Sequence, residues 1–306
     1  MQVHLRMRFL LLSAFVLSSF LARCQTWDWW AELVKWDGVT PWQRYIKTFP
    51  KYLGPNGLPV PLITNGSIDS VNSFGMSGNF HFSDGDHTQN IVLYGNYCLV
   101  KNVISFDASY IPYEHYTMSH HIKEERHVFS HYYYDTHGHG DLYLNTNIQL
   151  LNKWRKYIQL ALRIGYRYPT SSDLGTARFI DAPGYYFDLS FGVPFAKHPA
   201  FKWIGMAGLY SWQTNLDGKR QDDAFLFGGG IEYNKRSFRV QSYCSGYLGY
   251  MENKGDKPIV FRTSVEQRWN RIIAFTRFQQ GLHDNAFTSV ELGMKYKFRD
   301  TKAVIN

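Results

Sequence analysis

Long apolar runs and cysteines are the two features this sequence has least of. Beyond residue 24, no stretch approaches the ~18 consecutive apolar residues that a membrane-spanning helix requires. Only Cys98 and Cys244 among the three cysteines lie beyond that point. We place them on distant strands that face opposite sides, so the sequence predicts no disulfide framework. Any membrane crossing must therefore use β-strands.

The short motifs of nucleotide, redox and zinc sites are also missing. No Gly-rich phosphate loop and no Cys-x-x-Cys pair is present, and "FGGGIE" from Phe227 lies within a strand pattern. One polar segment is rich in histidine, but it lacks the carboxylate or cysteine spacing of a zinc site and indicates a solvated loop. Its histidines are His115, His120, His121, His127, His131, His137 and His139. We expect no cofactor, no bound metal and no nucleic-acid partner.

The first 24 residues have the layout of a secretory signal peptide. Arg6 and Arg8 precede the apolar run Phe9 to Leu21, and Ala22-Arg23-Cys24 precedes Gln25. The sequence therefore predicts an exported protein that is cleaved before Gln25. Cleavage would remove three arginines and no acid, lowering the formal net charge from +8 to +5. This basic excess is modest.

Near the end of the chain, the segment "SVELGMKYKFRD" has two chemically different faces. Apolar side chains from Val290 to Phe298 alternate with polar and charged ones, which include Glu291, Lys295 and Lys297. Side chains alternate between the two faces of a β-strand, so both faces need a suitable environment. A soluble sandwich would cover the apolar face with a second sheet. A membrane barrel would expose it to lipid and turn the charges toward a wet lumen.

Twelve segments with this period follow one another from Val71 onward, and we predict a strand for each. They are Val71–Phe82, Gln89–Leu99, Val103–Tyr113, Asp141–Leu151, Tyr157–Tyr168, Tyr185–Phe195, Trp203–Trp212, Ala224–Asn234, Phe238–Met251, Ile259–Trp269, Ile272–Gln280 and Phe287–Phe298. Every second connector is short, whereas the connectors at residues 117–140, 170–184 and 213–224 are long and polar. Short turns on one side and long loops on the other favour a barrel over a sandwich.

The fold class expected is therefore all-β, a closed antiparallel transmembrane β-barrel. Val71 to Phe298 resembles a bacterial outer-membrane β-barrel, and the last strand ending at Phe298 resembles the signal read by the barrel-assembly machinery. The start before Gln25 is similar to exported proteins of Bacteroidetes-type bacteria. The resemblance implies the bacterial outer membrane, contact with its lipid and with that machinery. It divides the chain into signal peptide 1–24, a Trp-rich periplasmic or interfacial segment 25–66, barrel 67–299 and tail 300–306.

Strand parity predicts which charged residues face the lumen. They are Asp107, Asp141, Arg163, Arg167, Asp188, Glu232, Arg239, Arg262, Glu266, Arg268, Arg277, Glu291, Lys295 and Lys297. Asp107 and Asp141 lie on early strands, whereas the last four strands are mostly basic. Opposed walls of unlike charge would select dipolar or anionic solutes. The alternative is that these ions pair with one another and fill a narrow barrel.

The segment Thr26 to Gly66 differs in kind from the barrel. Its tryptophans, Trp27, Trp29, Trp30, Trp36 and Trp42, favour two short helices, followed by an extended Pro- and Gly-rich connector. One interpretation is a plug or a docking surface with these residues as anchors. The other, which we favour at this point, is a helix lying at the membrane interface, where tryptophan is enriched.

Three functions are compatible with these patterns. The first is a narrow polar pore for small hydrophilic solutes, anionic ones among them. The second is a closed structural or assembly barrel that docks a periplasmic or membrane protein through residues 25–66. The third is a lipid-modifying hydrolase, but no short Ser/His motif of such enzymes is visible, so we expect no enzyme.

Overall fold

The computed structural model describes residues 28–128, 135–151, 157–171, 174–251 and 254–298. The predicted signal peptide, Trp27 and the predicted tail lie outside these residues. The chain divides into two units, Met1–Thr40 and Pro41–Asn306. In the first, α1 spans Asp28–Val34, and the rings of Trp30 and Trp36 lie 6.0 Å apart.

The second unit is a β-barrel built from consecutive antiparallel hairpins. Its strands are β1 Ser73–Ser83, β2 Asp86–Val100, β3 Ile104–Met118, β4 Asp135–Gly138, β5 Leu142–Gln149, β6 Gln159–Tyr168, β7 Gly184–Pro194, β8 Phe201–Leu216, β9 Lys219–Lys235, β10 Phe238–Leu248, β11 Ile259–Trp269, β12 Ile272–His283 and β13 Thr288–Lys297. Within the described residues, twelve strands close the barrel through the β1–β13 pairing, and β4 only extends β3. The predicted fold class and the twelve strands are confirmed.

The outer face of the barrel is an apolar belt. Leu292 and Met294 are 56% and 58% exposed, while Ser289 and Glu291 on the same strand are buried. The alternation seen in the sequence therefore sorts lipid-facing from lumen-facing side chains. Aromatic residues near the strand ends, such as Tyr168, Tyr185, Trp203, Tyr250 and Trp269, are exposed, as the interfacial aromatic residues of a membrane barrel are. Trp212 is the exception. Trp212 is instead 1% exposed and packs inside the barrel against Tyr210 and Tyr247.

Two of the predicted long loops are more ordered than the sequence indicates. Strands β8 and β9 continue through residues 213–224 and leave only the turn Asp217-Gly218, with Gly218 at a φ of 75°. An Asp-Gly pair is a strong hairpin signal that the polar composition of this stretch obscures. The histidine-rich connector contains α2, His120–Arg126, with the Ser119 hydroxyl as its N-cap, and then β4.

Three short 3-10 turns complete the second unit: Trp42–Arg44, Pro50–Tyr52 and Leu174–Thr176. Pro41 is the N-cap residue of the first of them. Among the described residues, no helix is long and apolar enough to cross a membrane. Cys98 and Cys244 lie on β2 and β10, and no disulfide joins them.

The lipid face is tested by introducing one charge on each side of the wall. Leu292→Arg would place a guanidinium in the apolar belt and should destabilise the barrel by ~2–4 kcal/mol. Asn147→Arg is the matched control, because Asn147 lines the lumen and lies 2.6 Å from the Asp107 carboxylate, which would pair with the new charge. Heat-modifiable gel mobility in a urea series measures the stability of both variants. Equal losses of stability would contradict the assignment of Leu292 to the lipid face and Asn147 to the lumen face.

Candidate functional site in the barrel lumen

The chain that precedes β1 runs through the inside of the barrel. We call Pro41–Leu53 the cap and Gly54–Gly66 the internal segment. The cap binds to the long-loop end of the barrel: the backbone amide of Lys47 donates to the carbonyl of Arg126, and that of Lys51 to the carbonyl of Gly255, both at 3.0 Å. The side-chain amide of Asn215, near the β8–β9 turn, donates to the carbonyl of Ile46 at 2.8 Å.

Inward side chains of the barrel hold the internal segment by its backbone carbonyls. The Tyr247 hydroxyl donates to Leu58 at 2.7 Å, and Arg163 donates to Leu62 at 2.8 Å. Arg262 donates to Val60 at 2.7 Å and to Pro61 at 3.1 Å, and Gln149 donates to Gly66 at 2.8 Å. An extended stretch rich in proline leaves its carbonyls unpaired, so it accepts such donors without a sheet.

The membrane-interface position that we favoured is therefore wrong for residues 41–66. The cap sits at the long-loop end, and β1 starts at the short-turn end, where the Phe298 amide donates to the carbonyl of Asn72. The chain between them crosses the length of the lumen. The tryptophan-based prediction missed this because the segment has no periodic pattern that reports what covers it.

One wall of the barrel is apolar on its inner face to receive this segment. Ile204, Met206, Tyr210 and Trp212 of β8 point inward and join one buried cluster with Leu58, Val60 and Ile63 of the internal segment. Gly228 on β9 has no side chain, which lets Ile63 lie against the backbone. The strand parity of β8 was ambiguous from the sequence because both of its faces are apolar.

A buried ion network closes the lumen below the cap. Arg178, from the β6–β7 connector, lies 2.6 Å from the carboxylate of Asp86 and 2.9 Å from that of Glu114. Arg126 of α2 also contacts Asp86, at 2.7 Å, and Asn56 of the internal segment donates to Glu114 at 2.8 Å. Burial alone would lower the pKa of Arg178, but the two carboxylates raise it above its ordinary value. The network therefore stays charged and joins the segment to the wall.

The remaining lumen is a cavity of about 790 Å³ between the internal segment and the opposite wall. Inward side chains of β10–β13 and β1–β3 line much of the cavity, such as Asn79, Asn96, Ser264 and Arg277, and strands β5–β8 contribute others, such as Asn147 and Lys202. Twelve strands lie between the eight that side chains fill and the ~16–18 that leave an open channel. Here the internal segment fills one half of the lumen, and the other half remains a cavity with polar walls.

Eleven of the fourteen charged residues predicted to face the lumen line the cavity, and the other three, Arg167, Asp188 and Glu232, are buried. On the early strands most of them are paired. Arg163 binds Asp188 at 2.7 Å, and Arg167 binds Asp141 at 2.8 Å. Asp107 accepts hydrogen bonds from the side-chain amides of Asn145 and Asn147. Glu232 accepts from Asn65 and Gln241 and lies 3.7 Å from Lys202. The expected acidic wall is thus mostly neutralised.

The last four strands keep a basic excess. Arg239 and Arg268 share the single carboxylate of Glu266. Arg277 pairs with Glu291, whose carboxylate also accepts from the Tyr94 hydroxyl at 2.5 Å. Arg262 also lines the cavity, and its guanidinium holds the internal segment and Gln279. Lys295 and Lys297 line the cavity.

Sequence reasoning missed the ion network and one polar pair. Asp86, Glu114 and Arg178 lie at strand ends or in a loop, where period two carries no signal. His81 Nδ1 and Ser289 Oγ lie 2.7 Å apart inside the barrel, although they are 208 residues apart in sequence. In the part of the chain that the structure describes, no cluster of His, Cys, Asp and Glu could hold a metal.

Acid should loosen the cap. His127 Nδ1 lies 3.1 Å from the carbonyl of Tyr45, and burial, together with the ammonium of Lys47, lowers the pKa of His127. Because protonation is disfavoured when the cap is docked, docking is strongest above the free imidazole pKa of ~6.5 and weakens as pH falls through it. Thiol labelling of Lys51→Cys at pH 7.5 and 5.5 should therefore be faster at the lower pH. His127→Asn should abolish the difference, and an unchanged difference would contradict this role.

No family model matches the sequence, and no curated protein matches it significantly. The fold is similar to an outer membrane channel from Pseudomonas putida F1, with 10% identity and a TM-score of 0.57 over 76% of this chain and 97% of that one. The NanC porin has 11% identity and a TM-score of 0.46 over 74% and 100%. The translocator domain of the autotransporter NalP from Neisseria meningitidis has 9% identity and a TM-score of 0.46, over 76% of this chain and 91% of that one.

The class follows from the barrel and its surface. A closed antiparallel barrel with an apolar outer belt and a polar interior is the structure of an outer-membrane β-barrel. The protein therefore resides in the bacterial outer membrane, and its belt contacts lipid.

Proposed function

We propose that the protein is an outer-membrane pore for small hydrophilic solutes, with a resident segment that narrows the lumen and a cap that closes its outer end. The observation that carries this proposal is the polar cavity of about 790 Å³. A barrel with a purely structural role could fill that volume with side chains. The barrel-assembly machinery would insert the protein by reading β13 and Phe298.

An anion preference fits the charge of the free wall. Arg239, Arg268, Arg277 and the two lysines of β13 outnumber the carboxylates beside them, and a low-dielectric wall concentrates their field in the aqueous path. Small anions should therefore permeate better than cations.

Planar-bilayer recordings of the purified full-length protein test the proposal. We expect discrete conductance steps and a chloride-selective reversal potential. Arg239→Gln with Arg268→Gln should shift that potential toward cations, because Glu266 then has no partner. The shift should shrink at 1 M salt, where the Debye length is ~3 Å. Arg262 is unsuitable for this test because it holds the internal segment.

The matched control is Lys197→Gln with Lys235→Gln, which removes two exposed positive charges from the short turns. This pair should leave the reversal potential nearly unchanged. If neither the wild type nor the variant Arg178→Met, in which the buried ion network is broken, conducts ions, the proposed pore is refuted. The docking alternative, with Trp29, Trp30 and Trp36 as anchors, then takes its place.

The hydrolase alternative has one supporting observation, the hydrogen bond between His81 and Ser289. Both side chains line the cavity instead of the lipid face, so an acyl chain in the membrane does not reach them. The pairing also uses Nδ1, while Nε2 has no hydrogen-bond partner among the described residues to orient the ring. The position inside the lumen favours the pore.

A further inference from the structure

The two lysines of β13 in the free half of the lumen have no carboxylate partner among the residues that the structure describes. Lys295 and Lys297 lie on the same face of the strand, about 6.6 Å apart at their Cα atoms from the rise of a strand. The ammonium of Lys295 lies 5.4 Å from the ring centroid of Tyr94 and 5.6 Å from that of Phe275. Within the described residues, neither lysine has an ion pair with a carboxylate.

Two glycines hold the first of these lysines in place. Gly75 on β1 lies opposite Lys295, and a Cβ there would come within 2.7 Å of the lysine stem. Gly293 leaves room in the same way for the ring of Phe275. The lysine therefore lies along the wall with its ammonium against two rings, which orders a flexible side chain before any ligand arrives.

The charges around the lysines leave an excess of two. Arg262 also lines the cavity, but its guanidinium is held by the carbonyls of Val60 and Pro61. Apart from Arg262, five basic groups face this part of the cavity, and three carboxylates oppose them. The basic groups are Arg239, Arg268, Arg277, Lys295 and Lys297, and the carboxylates are Glu266, Glu291 and Asp69 of the connector to β1. A partly enclosed ammonium gains from a counterion because the surroundings screen it less than bulk water does. A ligand with two negative charges balances the site, whereas a monoanion does not.

We propose that Lys295 and Lys297, with Arg239 and Arg268 beside them, form a binding site for small dianions such as dicarboxylates. This inference rests on the proposed pore, for which it names the solute class that the cavity retains. The site would bind solutes that enter from the short-turn end, where Lys297 lies.

Calorimetric titration of the detergent-solubilised full-length protein with succinate at pH 7.5 and low salt tests the site. We expect one saturable site, with acetate binding at least about tenfold more weakly. Lys295→Gln with Lys297→Gln should weaken succinate binding by about tenfold or more, which corresponds to ~1.4 kcal/mol. The exposed pair Lys197→Gln with Lys235→Gln should bind succinate as the wild type does. Heat-modifiable mobility confirms that each variant is folded.

Equal binding of acetate and succinate, or succinate binding unchanged in the β13 double variant, would overturn the site. Calorimetry does not depend on conduction, so the two proposals are separable. Saturable succinate binding by a protein that shows no conductance would support the site and refute the pore. Conductance without saturable binding would refute the site and leave the pore in place.

Discussion

Replacing Arg178 by methionine should raise the open fraction of the proposed pore by roughly tenfold or more. Arg178 is fully buried and contacts Asp86, Glu114 and the hydroxyl of Thr88, at 2.6 Å for the last. Removing one partner from a buried ion network costs ~3–5 kcal/mol, because the remaining carboxylates stay buried with too little positive charge. If about 1.4 kcal/mol of that cost destabilises the closed state and not the open state, the equilibrium between closed and open states shifts tenfold toward the open state.

The effect should fall on the closed state because the network joins different parts of the lumen. Asn56 of the internal segment donates to Glu114, and the amide of Gly54 donates to the carbonyl of Ala177 beside Arg178. With the guanidinium gone, water can solvate the two carboxylates only if the cap and the segment move away. The barrel wall itself keeps its β-ladders.

Single-channel recording compares Arg178→Met with the wild type and with Arg220→Met, which removes an exposed arginine from β9. The control should behave as the wild type. A folded Arg178→Met protein with wild-type opening would show that this network does not hold the channel closed.

A membrane-impermeant maleimide should label Lys51→Cys on intact cells. It should not label Lys235→Cys on the same cells. Lys51 is an exposed cap residue whose backbone binds Gly255 in a long-side loop, whereas Lys235 ends β9 at a short turn. Long loops of outer-membrane barrels face outward, and short turns face the periplasm. The cap should therefore be at the cell surface, although β1 begins on the periplasmic side.

The labelling is done with Cys98 and Cys244 replaced by serine. Lys219→Cys, at the β8–β9 turn, is the positive control for surface exposure. Lys235→Cys should react only after the outer membrane is permeabilised. If Lys51→Cys behaves like Lys235→Cys, the cap does not lie on the outer side and the chain does not cross the lumen as the structure places it.

The sequence by itself determined the barrel wall. Side chains alternate between the two faces of each strand, so the sequence already assigns Leu292 to the lipid face and Glu291 to the lumen face. Consecutive strands pair as hairpins, so the order of the strands in the barrel follows their order in the sequence. The inward charges, from Asp107 to Lys297, follow from the same parity. How these charges pair does not follow from parity. Arg167 neutralises Asp141 because β5 and β6 are neighbours in register, whereas the ammonium of Lys295 lies against the rings of Tyr94 and Phe275.

Only the tertiary structure decided what occupies the lumen. The internal segment has no period that reports its surroundings, and its partners Arg163, Tyr247 and Arg262 lie far away in sequence. Arg178 meets Asp86 and Glu114 across separations of 92 and 64 residues. Such contacts arise when the barrel closes around the chain, because closure brings inward side chains from distant strands to one axis. A local pattern encodes the face of a strand but not what fills the space enclosed by twelve strands.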